Sequence, residues 1–312
     1  MFARAAKTLF HLLARSSSLK ALASRYGMRK PTSFARRFIA GETVDEAIAA
    51  ARTIEAQGLH QTLDYLGESV TTLAEADAAT REYLRVIEAV KQSGIERNLS
   101  LKLTQLGLNV DRATAVDNMR RILDAAEGFF VRIDMENSPF TDVTLDVFET
   151  LWQLGYRNVG VVLQSDLFRT ERDVERIDAL GARIRLVKGA YKEPASIAHQ
   201  RKPDVDAAFL RMMNVLLTTG TYPAIATHDP VLIDATRRFA REQQIPADRF
   251  EFQMLYGIRR DLQASLVKAG YRVRIYIPFG RQWFPYFMRR LGERPANVAF
   301  VVRGILGENR LT

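Results

Sequence analysis

FFVRIDMENSPFTDVTLDVFETLWQLGYRNVGVVLQS, residues 129–165, is the stretch that decides the fold. Phe129 to Met135 is a short apolar run rich in aromatic and β-branched residues, and Asn158 to Gln164 is a second. The residues between them suit a single helix. A strand, a helix and a second strand in succession make a parallel pair, because parallel neighbours need a crossover that a tight hairpin cannot supply.

Outward from this unit the pattern repeats. Strand-like runs also occupy His60 to Leu66, Leu99 to Leu106, Arg183 to Lys188, Tyr222 to His228, Phe250 to Leu255 and Tyr271 to Ile277. Helix-forming stretches such as Thr80 to Ser93 and Val205 to Gly220 separate them. Eight alternating units predict an α/β protein, a (βα)8 TIM-like barrel, distorted, with extra N-terminal helices and a final helix over the barrel mouth. The chain contains no Gly-x-Gly, which removes the usual dinucleotide fingerprint of an open doubly wound sheet. Residues 1–58 read as an N-terminal helical segment, restarting at Val44 to Glu55 after Gly41, and residues 59–312 as the barrel catalytic domain.

The 312 residues are 47% hydrophobic, enough for a sizeable core, and include no cysteine, which excludes disulfides, thiolate metal sites and cysteine nucleophiles. The four histidines are scattered, so no metal site is expected. A reducing, cytoplasmic setting fits, and no apolar run is long enough to span a bilayer. The net charge of +9 is concentrated at one end, since residues 1–40 hold nine basic residues and no acid. There Ala6, Leu9, Phe10 and Leu13 form one face of a basic amphipathic helix. It could pack on the barrel, attach peripherally to an anionic membrane at its inner face, or target the chain to mitochondria. Aromatics are not interleaved with these charges, which argues against nucleic acid.

In a barrel of this kind, side chains at the C-terminal ends of the strands converge over the mouth. Those ends carry Asp64 and Glu68, Lys102 and Thr104, Asp134 and Glu136, Gln164, Lys188 and Tyr191, Thr227 and His228, Gln253, and Tyr276. After the eighth strand, FGRQWFPYFMRRLGERPAN reads in its centre as a helix bearing Tyr286, Arg289, Arg290 and Glu293. Two guanidinium forks suit a carboxylate or a phosphate. Arg-Arg also occurs at Arg36, Arg120, Arg237 and Arg259, so the dipeptide alone does not separate a binding pair from a solvated face. On these residues the reaction stays open. A Schiff-base or phosphate-binding barrel enzyme using Lys102 or Lys188, or a membrane-surface binding protein, are alternatives.

LDYLGE (63–68), SLKLTQLG (100–107), RIDMENS (132–138), VVLQS (161–165), RLVKGAYKEP (185–194), ATHDP (226–230), FEFQMLYG (250–257) and YIPFG followed by YFMRRLGERPAN (276–297) stand in one order along the chain. In these eight blocks the sequence resembles the flavin-dependent proline dehydrogenase family, and its small monofunctional members in particular. The resemblance implies non-covalent FAD at the barrel mouth and oxidation of L-proline to Δ1-pyrroline-5-carboxylate, with electrons passed to a membrane quinone or another acceptor. It implies that Lys102, Arg289 and Arg290 hold the proline carboxylate, while Tyr276, Leu255, Ala190 and Tyr191 enclose the ring. Asp134 and Arg185 would be the catalytic pair, Arg185 beside flavin N5. Met135, Gln164, Val187, Lys188, Gly189, Ala190, Thr227 and His228 would complete the FAD site, with Glu68 and Glu293 at the gate. Tyr276 favours proline over the bulkier hydroxyproline. One departure is Asp166, where family members commonly place a tyrosine after Leu-Gln-Ser.

Overall fold

The computed structural model describes Met28 and residues 33–293. The basic helix read over Ala6 to Leu13, with its expected membrane attachment, and residues 294–297 of the last motif lie outside them, as does the Glu293 side chain. Eight parallel strands close into a barrel in sequence order, each paired with the next and β8 with β1. They are β1 (His60–Tyr65), β2 (Asn98–Leu101), β3 (Phe130–Ile133), β4 (Val159–Gln164), β5 (Ile184–Val187), β6 (Ala224–Ala226), β7 (Glu251–Leu255) and β8 (Val273–Phe279).

Two runs are shorter as strands than their composition predicts. LSLKLTQL leaves the sheet at Lys102, and Leu103–Leu106 winds into a 3-10 turn that Gly107 closes at φ 99. The early exit brings Thr104 to Ser69 and Glu136, and Gln105 to the Tyr83 hydroxyl. In the run Tyr222 to His228 only Ala224–Ala226 is strand, since Tyr222 sits at φ 49 and Pro223 has no N–H to give a ladder.

Helices cover the outside of the barrel. The first, α1 (Val44–Glu55), matches the expected restart and begins with a capping box between Thr43 and Glu46. In α2 (Leu73–Ser93), Thr72 and Glu75 do the same, and Gly94 ends the helix at φ 75. The ring continues through α3 (Arg112–Ala125), α4 (Thr141–Gln153), α5 (Thr170–Asp178), α6 (Lys202–Thr219), α7 (Pro230–Glu242) and α8 (Arg260–Lys268). The last, α9 (Trp283–Glu293), follows β8.

Strand alternation sorts the side chains by polarity. Leu99, Val131, Val161, Leu186, Phe252 and Ile275 belong to the main apolar core shared with the helices. Their chain neighbours point the other way. Arg185 on β5 reaches Ser100 on β2 and Gln253 on β7, strands not adjacent to its own, so these side chains meet inside the barrel. The register sets Asp64 beside Ser100, Ser100 beside Arg132, and Gln253 beside Arg274. The barrel interior is therefore a polar network and the oil lies outside it.

A second apolar cluster joins Met28, Ala35, Phe38 and Ile39 to Trp283, Phe284, Phe287 and Leu291 of α9. The chain from Phe38 to Glu42 straps this helix to the barrel. Ala40 N donates to Pro278 O at 2.9 Å, Gly280 N to Gly41 O at 2.9 Å, and Trp283 Nε1 to Glu42 Oε1 at 2.9 Å.

Candidate active site

Asp134, just beyond β3, is the hub of the mouth. Its carboxylate accepts from Arg185 Nη1 at 2.8 Å, from the Tyr276 hydroxyl at 2.7 Å and from Lys102 Nζ at 3.3 Å. Burial works against its charge, but Lys102 and Arg185 outweigh burial and hold the carboxyl below the ordinary aspartate range. At Asp64, which receives Lys102 Nζ at 3.4 Å, burial prevails over Lys102 and the carboxyl is raised. Lys102 loses by burial and gains more from Asp64 and Asp134, so its ammonium stays charged.

Arg185 is 4% exposed and has a polar acceptor for each nitrogen. Besides Asp134 it donates to Ser100 Oγ at 3.0 Å and to Gln253 Oε1, and its guanidinium carbon lies 5.4 Å from the centre of the Tyr276 ring. Gln253 in turn donates to Glu251, which accepts from Arg274 Nε at 2.8 Å. Both groups of the Gln253 amide are thus used, and the oxygen faces Arg185. The ring of Tyr276 lies between these charges, and burial pushes its hydroxyl well above the usual phenol range.

On α9, Arg289 Nη1 lies 3.0 Å from both carboxylate oxygens of Glu68, the acid of the loop after β1. That loop is pinned. Ser69, at φ 55, donates its N–H to Thr104 Oγ1 at 2.9 Å, and Thr104 gives its N–H and its hydroxyl to the buried Glu136, at 3.2 and 2.6 Å. Leu66, Glu68, Lys102, Gln282, Tyr286 and Arg289 line one cavity, so two of the expected clamp cations face the same space. Arg290 holds its guanidinium carbon 5.0 Å from the Tyr286 ring centre. Tyr191 is half-buried near Arg289, Glu136 and Glu68, and burial pushes its hydroxyl up to about 12.

The other side of the mouth is built differently. From β4 to β6 it presents Gln164, Val187, Gly189, Ala190 and Ala226, which are neutral and mostly small. Gln164 Nε2 donates to Glu136 O at 2.9 Å, and the buried Met135 lies at the start of the same loop. His228 Nε2 accepts from Leu255 N at 2.9 Å, which leaves the ring proton on Nδ1. Thr227 Oγ1 accepts from Asp229 N at 3.1 Å. Asp166 is buried. Its carboxylate packs against Gly189, where a Cβ would lie 2.0 Å from Oδ2, and Gly189 has φ +108. The Lys188 ammonium turns aside to Asp206 at 2.6 Å and Asp229 at 2.8 Å. Both strand-end lysines are therefore clasped between carboxylates, a poor arrangement for a Schiff-base nucleophile, whose nitrogen must be free to attack.

Sequence reasoning placed Asp64, Thr104, Glu136 and Gln253 at the strand ends without assigning them individual roles, and it missed Ser100. The alternation in SLKL already places Ser100 on the face of Lys102, and that signal could have found it. The grip of Gln253 on Arg185 crosses the barrel and leaves no mark in local sequence.

Residues 47–303 match the family model described as proline dehydrogenase. Proline dehydrogenase 1 of Bacillus subtilis (strain 168) is 41% identical over 300 residues, 96% of this chain and 98% of that protein. The proline dehydrogenase of Deinococcus radiodurans is 44% identical over 284 residues, 89% of this chain and 92% of the other. Proline utilization A (PutA) from Bdellovibrio bacteriovorus, in a crystal structure of the form inactivated by N-propargylglycine, superposes with a TM-score of 0.77 at 26% identity. That match covers 83% of this chain and 32% of the other, so the chain spans about a third of that longer polypeptide. Both relatives align nearly end to end, the matched region contains the whole barrel, and on that ground the chain belongs to the proline dehydrogenase family.

Proposed function

We propose that this chain oxidises L-proline to Δ1-pyrroline-5-carboxylate, the first step of proline catabolism, at the barrel mouth with a non-covalently bound FAD. The observation that carries the reading is the cavity shared by Lys102 and Arg289, with Lys102 joined through Asp134 to Arg185. A small zwitterion with a carboxylate at one end and a carbon to be oxidised at the other fits that layout.

The residues on the β4 to β6 side suit a flavin. A flat tricyclic ring needs a neutral, shallow wall, and Val187, Gly189, Ala190 and Ala226 supply one where charged side chains fill the opposite side. Gln164, Met135, Thr227, His228 and the backbone around Lys188 would hold it, with Arg185 offering a fixed cation at its edge. A flavin held there would supply the two-electron acceptor for the hydride leaving proline C5, and a quinone would be the onward acceptor.

The protein's own part is orientation. Lys102, Arg289 and Arg290 fix the carboxylate, and Tyr276, Leu255, Ala190 and Tyr191 close around the ring and exclude water. Glu68 neutralises Arg289 while no substrate is present and yields it to the carboxylate, so the buried cation is not left unpaired. The same requirement selects for an acid, because a neutral amine would leave the clamp unsatisfied. An absorption spectrum of the purified protein before and after L-proline, followed by added quinone, tests the reading. A flavin band should bleach with proline and return with quinone. A colourless protein, or a band indifferent to proline, would overturn it.

A further inference from the structure

An ammonium has three donors. Those of Lys102 face Asp64 Oδ1 at 3.4 Å, Asp134 Oδ2 at 3.3 Å and the Tyr276 oxygen at 3.4 Å, so all three are committed. A substrate carboxylate arriving at Lys102, which is the clamp reading given above and on which this inference rests, must displace one of them. Asp134 keeps Arg185 and the Tyr276 hydroxyl whatever happens at Lys102. Asp64 is held far less firmly. It is 1% exposed, its Oδ2 has no hydrogen bond, the Tyr276 hydroxyl that favours its charge is committed to Asp134, and its one ion pair among the described residues is with Lys102.

The charged and titratable groups facing Asp64 are Lys102 from β2, Asp134 beyond β3, Tyr276 from β8 and Tyr83 from α2. Lys102 is the single cation among them. In the cluster around Lys102, Lys102 and Arg185 balance Asp64 and Asp134, while Arg289 beside it is balanced by Glu68. A third carboxylate breaks that balance, and a desolvated carboxylate stripped of its counter-ion takes a proton in preference to remaining charged.

We propose that Asp64 is a positioning residue that takes up one proton from solvent as a substrate carboxylate binds Lys102. One Lys102 N–H moves from Asp64 to the ligand, Asp64 gains an O–H, and no electrons move. The neutral acid then supports the ammonium from inside the barrel without competing for its charge.

The test is calorimetric titration of the FAD-loaded enzyme near neutral pH with tetrahydrofuran-2-carboxylate, the substrate's ring with oxygen in place of nitrogen, in two buffers of different ionisation enthalpy. This probe has no ammonium of its own to confuse the count. Wild type should take up about one proton per ligand, which is about a tenfold loss of affinity per pH unit. Asp64→Asn, and Asp64→Ser should the first fail to fold, should take up none and bind independently of pH. Zero uptake by wild type, or wild-type uptake in either variant, overturns the inference. Lys102→Met keeps the two readings apart. If it binds the probe as tightly as wild type, the clamp reading fails. If it binds weakly while wild type takes up no proton, the clamp stands and the role of Asp64 falls.

Discussion

At the scale of single residues, the mouth is organised by which charges have partners. Asp134 has three and Glu68 one, so Arg289 is the cation whose partner is easiest to exchange for a substrate. Arg289→Met removes one fork of the clamp and leaves Arg290 and Lys102. The KM for proline should rise by about tenfold to a hundredfold, ~1.4–2.8 kcal/mol, with a smaller change in kcat and unchanged flavin content. Steady-state kinetics check this, and unaltered proline affinity removes Arg289 from the clamp. The sequence disclosed these residues unevenly. Strand-end position and the family blocks pointed to Lys102, Asp134, Arg185 and Arg289. Of the supports beneath them, Ser100 stayed hidden and Gln253 was marked only by its strand-end position, because an ordinary serine and glutamine become specific only when three strands bring them to one guanidinium.

Among the elements, α9 depends on the strap from Phe38 to Glu42, and the residue that leads into the strap, Arg37, rests on the turn after β7. Gly257 in that turn has φ +72, and a Cβ there would lie 1.7 Å from Arg37 O. Gly257→Ala should cost about 2 kcal/mol or more, combining the left-handed backbone with the collision. Because the strap carries the clamp helix, the same variant should also raise the KM for proline. Thermal unfolding and kinetics on one preparation measure both, and a variant as stable as wild type contradicts the packing described here. The alternation of strands and helices was legible from periodicity, and the restart of the chain at Val44 from the glycine before it. The strap was not, because its partners lie more than two hundred residues downstream by their numbering. LTQL was misread as strand because apolar spacing does not show where a chain leaves a ladder.

Over the whole molecule, the inverted interior links the mouth to the floor of the barrel. Arg185, Gln253, Glu251, Arg274, Glu96 and His60 follow one another by hydrogen bonds, ending with Arg274 Nη2 to Glu96 at 2.9 Å and His60 Nδ1 beside Glu96 at 3.1 Å. Burial tends to raise Glu96, but the His60 hydrogen bond and the Arg274 charge prevail and lower it to about 2. A carboxyl depressed on folding stabilises the protein above its unfolded pKa of about 4.5 and loses that contribution as pH falls toward the folded value. Wild type should therefore weaken between pH 4.5 and 2, and Glu96→Gln should weaken less steeply over that window. Denaturant unfolding across the acid range gives the comparison, and parallel profiles would show that Glu96 contributes nothing.

The barrel closes by pairing β1 with β8 from His60↔Arg274 to Tyr65↔Phe279, and the strap docks on the helix that follows. On the ribosome, β1 emerges long before its partner has been translated, and Phe38 and Ile39 emerge before the helix that will cover them. The first third of the nascent chain is thus obliged to wait with one strand edge and one greasy patch bare. Slowing translation through the middle of the message lengthens that wait, and a chaperone that covers the bare edge and patch shortens the exposure it brings.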